Sequence, residues 1–303
     1  TTLAGVKLKS CIINASGCNC SSYHQLDALG KSSSGAIVSK SGTLLPREGN
    51  EAPRIYLDKY GSINSAGLPN PSYDYYTKYS NANKPHIQSI YAFDSNELTT
   101  MLTHINSQKN TSNNLIEINL SCPNVHKTNI LQDYSKYLDV VTALRLDNLI
   151  LGIKLTPLFG ANQYQEMSHL LLKSNVKFIT CCNSLPGGIS VNYKKEETTL
   201  YPNNGIGGIG GLYVKPISLS NVYNFNRLLG NKIDIIGCGG IRSGIDVFEY
   251  ILCGAKAVQV GTHFLNSSID CFDRLNDEFV EIMQSKKYKS IEDVRGKIML
   301  CGS

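Results

Sequence analysis

The chain has 303 residues, of which 42% are hydrophobic, and its formal net charge is +5 at pH 7. A chain of this length can bury a large core, and the composition is ordinary for a globular protein. No apolar run approaches the roughly 20 residues that a membrane-spanning helix needs, and the first residues form neither a basic nor a cleavable apolar segment. We therefore expect a cytoplasmic protein without a membrane anchor.

The ten cysteines do not form a disulfide scaffold pattern in a chain of this length. Cys18-Asn19-Cys20 and the vicinal pair Cys181-Cys182 lack a second pair at zinc-finger spacing, which favours packing over metal binding. The lysines are scattered apart from a cluster at 286–289, which we interpret as a solvated helix end, so nucleic-acid binding has little support. The mild positive charge favours anionic small molecules as ligands.

Short β-branched runs alternate with longer amphipathic stretches along the whole chain. The first predicted strand ends at Asn14. The seven that follow are Ala36–Ser39, His86–Tyr91, Leu115–Leu120, Leu149–Ile153, Lys177–Thr180, Ile233–Ile236 and Ala257–Val260. Helices are predicted in the gaps, for example over Asn129–Leu146, Asn162–Lys173 and Ser243–Cys253.

Eight such β-then-α units in about 300 residues are typical of a (β/α)₈ TIM barrel, whose chemistry lies at the carboxyl ends of its strands. We therefore predict an α/β fold with one domain over residues 1–303 and an inserted loop region after the second strand. A doubly wound parallel sheet is the competing architecture, but it needs a nucleotide-binding fingerprint after the first strand. The residues there, Gly17-Cys18-Asn19, do not form one.

The inserted loop region runs from Ser41 to Pro85 and is long for a compact barrel. Loops of this length are usually functional, so we expect a lid or a wall of the site. The region includes a tyrosine-rich stretch, which predicts a helix face formed by Tyr73, Tyr75, Tyr76 and Tyr79. That face either packs against the barrel or contacts a partner subunit.

Directly after the fourth predicted strand, Cys122 lies between two asparagines in the sequence NLSCPN, residues 119–124. Pro123 biases Cys122 toward an extended backbone, so we expect the strand to end with the thiol at its tip. Neutral carboxamides beside a thiol suit a polar, planar substrate better than a metal ion. A free cysteine is otherwise most often a small buried hydrophobe, and the spacing alone leaves both interpretations open.

Lys40 and Lys154 end inner strands, where an unpaired ammonium is costly to bury. Two lysines at equivalent strand ends indicate anionic partners in the barrel mouth, such as a carboxylate and an electron-rich cofactor ring. Gly239-Gly240 and Gly261-Thr262 follow the seventh and eighth strands, where barrels commonly bind a phosphate. Glycine strings also occur in tight turns, but two at paired positions favour phosphate binding.

Together these residues resemble the class 1A dihydroorotate dehydrogenases, FMN-containing barrel enzymes of pyrimidine biosynthesis. The resemblance covers nearly the whole chain. It is carried by NASG at 14–17, REGN at 47–50, GSINSAGLPN at 61–70, NLSCPN at 119–124, GIGGIGG at 205–211, GCGG at 237–240 and QVGT at 259–262. The combination of GSINSAGLPN with NLSCPN is the most specific of these markers.

The resemblance implies that Cys122 is the general base in the oxidation of dihydroorotate. It assigns the pyrimidine to Lys40, Asn64, Asn119, Asn124, Asn183 and Ser184, with further contacts from Ala66, Gly67 and Leu68. It places FMN against Ala15, Ser16, Lys40, Ser41, Asn119, Lys154 and Cys182, and the FMN phosphate at Gly211, Gly239, Gly240, Gly261 and Thr262. It also implies a homodimer that uses fumarate as the electron acceptor and returns succinate.

The chemistry suits these residue types, because oxidising a dihydropyrimidine removes a proton and a hydride from neighbouring carbons. A base and a flavin must therefore face opposite sides of the substrate. A thiol that titrates near 8.5 can be brought toward working pH by nearby cations. Lys154 would offset negative charge on the reduced flavin.

Three segments depart from the pattern of the family, at His126–Ile130, Pro186–Gly188 and Tyr201–Asn204. They leave open the dynamics of the loops and the choice of electron acceptor. One alternative is a class 1B enzyme, which passes electrons through an iron-sulfur flavoprotein partner to NAD. Others are a dihydrouracil-type reductase, against which Lys40 argues, and a flavin-binding protein without turnover.

Overall fold

A computed structural model of the chain describes residues 1–108, 115–120 and 130–302, with residues 130–133 described by their backbone only. Eight parallel strands form one sheet in which chain neighbours from β2 to β8 are also sheet neighbours and the last strand pairs with the first. The strands are β1 Ile12–Asn14, β2 Ile37–Val38, β3 His86–Ile90, β4 Leu115–Asn119, β5 Ile150–Leu155, β6 Phe178–Cys181, β7 Asp234–Cys238 and β8 Ala257–Val260. The predicted eight-stranded barrel is confirmed.

The fifth strand is longer than predicted. It extends through Lys154 to Leu155, so that Lys154 lies within the strand and not after it. Lys154 pairs with Asn119 of β4 on one side and with Thr180 of β6 on the other. This register places the lysine at the level where the neighbouring strands end.

The barrel is closed between β1 and β2 by a side chain. No ladder of backbone hydrogen bonds joins these two strands in the described residues. Instead, Asn14 Nδ2 donates to the carbonyl of Val38 at 2.7 Å, and the Val38 amide donates to Asn14 Oδ1 at 2.8 Å. An asparagine can do this because its carboxamide carries the same donor and acceptor as a peptide group.

Helices cover the outside of the barrel. They are α1 Tyr23–Lys31, α2 Tyr73–Thr77, α3 Ser95–Ser107, α4 Ile130–Ala143, α5 Ala161–Lys173, α6 Lys215–Leu229, α7 Gly244–Cys253, α8 Thr262–Leu265 and α9 Cys271–Ser285. Short 3₁₀ turns span Asn203–Gly205, Leu212–Val214 and Ile291–Asp293. Capping boxes begin α1 at Ser22 and α7 at Ser243, which explains why these helices start where they do. None of the helices in the described ranges is long and apolar enough to cross a membrane.

A second sheet stands beside the barrel and was not predicted. Its four antiparallel strands are, in order, Leu185–Ile189, Ile206–Gly211, Gly61–Asn64 and Ile55–Leu57. The inserted region after β2 therefore contains two strands and the helix α2, and the glycine run at 205–211 is mostly a strand. A Cβ at Gly207 would lie 2.6 Å from the carbonyl oxygen of Asn64, so only glycine lets these two strands approach.

Two small hairpins complete the fold. The first pairs Thr2–Leu3 with Val6–Lys7, and the second pairs Val191–Asn192 with Glu197–Thr198. Leu3 and Leu8 are fully buried against side chains from inside the barrel, including Phe178. The first hairpin thereby closes the end of the barrel that lies opposite the carboxyl ends of the strands.

The tyrosine-rich helix packs against the barrel. Tyr73, Tyr76 and Tyr79 are buried in the main hydrophobic core, and the Tyr76 hydroxyl donates to the carbonyl of Ser21 at 3.0 Å. Of the two alternatives left open by the sequence, the structure therefore supports packing within the chain.

We expect Asn14→Ala to lower the free energy of unfolding by roughly 2 to 4 kcal/mol, because two buried hydrogen bonds are lost and both polar groups of Val38 are left unpaired. Urea denaturation measures this loss. Asn96→Ala is the matched control, since Asn96 is exposed on the first turn of α3. An equal, small effect of both substitutions would show that Asn14 does not close the barrel.

Candidate active site

A cavity of about 700 Å³ lies at the carboxyl ends of the barrel strands. Each sequence-predicted site residue within the described ranges lines it. These residues are Ala15, Ser16, Lys40, Ser41, Asn64, Ala66, Gly67, Leu68, Asn119, Lys154, Cys182, Asn183, Ser184, Gly211, Gly239, Gly240, Gly261 and Thr262. Cys122 and Asn124 lie outside the described residues. The structure thus brings together residues that are up to 247 positions apart, from Ala15 to Thr262.

Hydrogen bonds fix the orientation of the carboxamides along one side of the cavity. Asn183 Nδ2 donates to Asn119 Oδ1 at 3.0 Å, and Asn119 Nδ2 donates to Ser41 Oγ at 3.2 Å. The amide of Ser184 in turn donates to Asn183 Oδ1 at 2.8 Å. Because each contact assigns a donor and an acceptor, the two asparagines present defined polar edges to a ligand.

Residues 66–68 also line the cavity, and two asparagines hold their backbone in place. Asn50 Nδ2 donates to the carbonyl of Ser65 at 2.8 Å, and the backbone amide of Asn50 donates to the carbonyl of Ala66 at 3.0 Å. Asn70 Nδ2 donates to the carbonyl of Leu68 at 2.8 Å. Neither Asn50 nor Asn70 was singled out from the sequence, although both lie in quoted motifs.

The two predicted lysines lie in different electrostatic surroundings. Burial, assisted by Lys154 and Arg54, lowers the pKa of Lys40. Burial also opposes the charge of Lys154, but the nearby Cys238 and Glu117 outweigh it and leave the pKa of Lys154 raised. Lys154 therefore supplies a stable positive charge at the floor of the cavity, where it is only 4% exposed.

Glu117 and Gln259 lie beneath Lys154 and were missed as functional candidates. Both are fully buried, and Lys154 Nζ donates to Gln259 Oε1 at 2.7 Å. The available signal was a charged residue in the middle of an otherwise apolar strand, where an unpaired carboxylate is costly.

A glycine-rich cradle lies at the ends of β7 and β8. Beside it, on the second sheet, a Cβ at Gly210 would lie 2.7 Å from Ser62 Oγ and 3.0 Å from Thr262 Oγ1, so a larger residue there would crowd both side chains. The two hydroxyls hydrogen-bond to each other at 3.0 Å, and both residues line the cavity. Small residues and hydroxyl donors of this kind suit a phosphate group.

The thiols that line the cavity in the described residues are held neutral. Burial, together with Cys20, raises the pKa of Cys18 to about 12, against the smaller opposing effects of the two site lysines. Burial also raises the pKa of Cys182 and of Cys238. Neutral thiols are poor bases and nucleophiles, so these three do not compete for the chemistry of the site.

The comparisons with known proteins agree with this geometry. The sequence model described as dihydroorotate dehydrogenase matches residues 1–283. The chain belongs to the dihydroorotate dehydrogenase family. The dihydroorotate dehydrogenase (fumarate) of Lachancea kluyveri is 40% identical, over 94% of this chain and 93% of its own length. The probable dihydroorotate dehydrogenase A (fumarate) of Enterococcus faecalis is 39% identical, over 97% of each chain.

Solved structures agree on the fold. Ligand-free DHODH from Eimeria tenella matches with a TM-score of 0.77 over 98% of this chain and 91% of that chain, at 17% identity. DHODH from the same organism in complex with ferulenol also matches at 0.77, over 98% and 87%, at 16% identity. At this level of identity the likeness shows the fold alone.

The residues of the cavity fit the flavin that this family uses. Its volume lies in the range of about 300 to 1,000 Å³ that small-molecule sites occupy. The buried ammonium of Lys154 suits an electron-rich ring, and the glycine cradle with Ser62 and Thr262 suits a phosphate. These two features lie at different parts of one cavity, as a ring and a phosphate in one ligand require.

We expect iodoacetamide at pH 8 to leave Cys18 unmodified in the native protein. With a pKa of about 12, only about one Cys18 thiol in ten thousand is ionised at that pH. Raising the pH from 7 to 10 should increase the rate about tenfold per unit. Exposed Cys301 is the internal control, and peptide mass mapping measures both sites. Equal rates for the two cysteines at pH 8 would contradict the suppressed ionisation.

Proposed function

We propose that this chain oxidises dihydroorotate to orotate, with FMN as its cofactor and fumarate as the electron acceptor. The reaction belongs to pyrimidine biosynthesis. The observation that carries the proposal is that the predicted substrate and cofactor residues in the described ranges line one cavity at the strand ends. Family membership and the names of the relatives support the choice of reaction and acceptor.

In this proposal, Cys122 takes the proton from the carbon beside a carbonyl group of the substrate. Bound FMN supplies the acceptor for the hydride that leaves the neighbouring carbon. Asn64, Asn119 and Asn183 would bind the polar edges of the pyrimidine. Asn64 is oriented by its own hydrogen bond, in which its Nδ2 donates to the carbonyl of Gly208 at 3.2 Å. Asn124 and Ser184 complete this set, with the backbone of residues 66–68 as the wall.

The two lysines have different tasks in the proposal. Lys40 attracts the carboxylate of the substrate, which distinguishes dihydroorotate from dihydrouracil. Lys154 holds a positive charge at the floor of the cavity, where negative charge builds up during hydride transfer. In the second half-reaction, Cys122 returns the proton while fumarate accepts the hydride, which gives succinate and balances the cycle.

The test is a visible absorbance spectrum of the purified protein, recorded anaerobically before and after dihydroorotate and again after fumarate. We expect a yellow protein that bleaches with dihydroorotate and recovers its colour with fumarate. Cys122→Ala should reduce orotate formation at least a hundredfold, because general-base catalysis is worth about 10² to 10⁴ in rate. Cys301→Ala is the matched control.

Each alternative predicts a different spectrum. If the colour of the bleached flavin recovers with NAD and a partner flavoprotein, but not with fumarate, the chain is a class 1B enzyme. Bleaching by dihydrouracil but not by dihydroorotate would indicate the related reductase. A yellow protein that does not bleach with either would be a flavin-binding protein without turnover, and a colourless protein, or full orotate output from Cys122→Ala, would end the proposal.

The same proposal includes a homodimer in the cytoplasm. The nine cysteines in the described residues are free, which suits a reducing compartment. Several large apolar side chains are exposed on the second sheet and its adjoining hairpin: Ile189, Val191, Tyr193, Tyr201 and Ile206. Ile189 and Ile206 are direct cross-strand partners, so part of this set forms a continuous surface. Apolar surfaces of this kind commonly mark protein interfaces.

We expect light scattering to give twice the chain mass of 33.2 kDa for the unmodified protein. The double substitution Ile189→Glu with Tyr193→Glu should give the mass of one chain, because like charges would meet across the interface. Leu172→Glu, at an exposed position of α5, should leave the dimer unchanged. A monomer at all concentrations in the unmodified protein would refute the dimer.

A further inference from the structure

A buried chain of hydrogen bonds connects the floor of the cavity to the interior of the barrel. Lys154 Nζ donates to Gln259 Oε1 at 2.7 Å, and Gln259 Nε2 donates to Glu117 Oε2 at 2.6 Å. The three residues come from β5, β8 and β4, so the chain crosses the inside of the barrel. Gln259 and Glu117 have no exposed surface, and Lys154 has 4%.

The neighbours of Gln259 permit only one orientation of its amide. An ammonium can only donate and a carboxylate can only accept, so Gln259 must turn its oxygen to Lys154 and its nitrogen to Glu117. Thr180 Oγ1 donates to the same oxygen of Glu117 at 2.7 Å. The other oxygen, Oε1, has no hydrogen-bond partner among the described residues. Both hydrogen bonds to Glu117, from Gln259 and from Thr180, are therefore made to its Oε2.

The amide keeps the two charges apart. Direct contact between an ammonium and a carboxylate would draw Lys154 away from the cavity and neutralise it as a partner for a ligand. With Gln259 between them, Glu117 still favours the charged form of Lys154, but from a distance. An ammonium has three N–H groups, and one is used by Gln259 while Cys238 lies against another side. At least one donor is left for a ligand in the cavity.

Other charged groups near the floor do not replace this support. Lys40 also carries positive charge, and its pKa is lowered by burial and, to a smaller extent, by Lys154, so Lys40 does not favour the charged form of Lys154. The thiols of Cys18, Cys20 and Cys238 face the same region, and burial raises the pKa of each, which keeps them neutral near pH 7. Cys238, Glu117, Cys18 and Cys20 all raise the pKa of Lys154, and of these Glu117 is the one that does so while the thiols are protonated.

We propose that Gln259 is a positioning residue for Lys154: its amide, oriented by Glu117, holds the ammonium at the cavity floor and prevents it from pairing directly with Glu117. This inference rests on the proposed function, in which the charge of Lys154 favours the reduced state of the bound flavin. Gln259 itself acts through Lys154 and needs no contact with the ligand.

The test measures the reduction potential of bound FMN by equilibration with a reference dye, in a double-mutant cycle of Gln259→Met and Lys154→Met. We expect Gln259→Met to shift the equilibrium between oxidised and reduced FMN about tenfold toward the oxidised form. This corresponds to a reduction potential that is lower by about 30 mV for a two-electron couple. The FMN dissociation constant should rise as well. In the Lys154→Met background, Gln259→Met should cause no further shift, because its effect passes through Lys154.

Thr180→Val is the matched control. It removes the other hydrogen bond to the same oxygen of Glu117 but leaves the hydrogen bonds from Glu117 through Gln259 to Lys154 intact. The equilibrium ratio of oxidised to reduced FMN should therefore change less than twofold. Urea denaturation of each FMN-loaded variant reports on folding. If Gln259→Met does not fold, Gln259→Asn keeps a neutral amide that is one methylene too short to contact both Lys154 and Glu117, and the potential should shift in the same direction.

Two outcomes would overturn the inference while leaving the proposed function intact. In the first, dihydroorotate bleaches the flavin but Gln259→Met has the potential of the unmodified protein. In the second, Gln259→Met shifts the potential equally with and without Lys154, which would mean that it acts independently of the lysine. A protein that binds no FMN, or is not bleached by dihydroorotate, would instead refute the proposed function and this inference with it.

Discussion

The parallel closure of the barrel is the constraint on which the site depends. Because all eight strands run in the same direction, their carboxyl ends meet at one rim, and residues far apart in sequence become neighbours there. The side chain of Asn14 completes the ring where the backbone ladder is missing. This closure keeps β1 and β2 side by side, and just beyond their ends the hydroxyls of Ser16 and Ser41 hydrogen-bond at 3.2 Å.

The electrostatics of the cavity follow from what is buried beneath it. A barrel interior is normally filled with apolar side chains, and here one layer holds Glu117, Gln259 and Lys154 instead. Such a layer costs stability unless its polar groups are paired, and Glu117 Oε1 has no hydrogen-bond partner among the described residues. The surrounding thiols stay neutral, so the ammonium is the dominant charge that a ligand meets at the floor.

Much of the fold could be predicted from the spacing of apolar runs, because buried parallel strands and amphipathic helices leave a strong pattern. The second sheet could not, since its strands are short and one of them is mostly glycine. Glycine usually marks turns, and at 205–211 it instead permits close approach of two backbones. The supporting residues Asn50 and Asn70 were missed because most of their partners are backbone groups, which carry no sequence signal.

The sequence by itself determined the order of the strands, the position of the lysines and glycines at or near strand ends, and the likeness to one family of enzymes. Those features depend on local patterns and motifs, which consist of residues that are close together in the sequence. Only the tertiary structure decided that the tyrosine-rich helix packs inward and that Gln259 stands between Lys154 and Glu117. These are contacts across 55 and 142 positions, and distance in space cannot be read from separation in sequence.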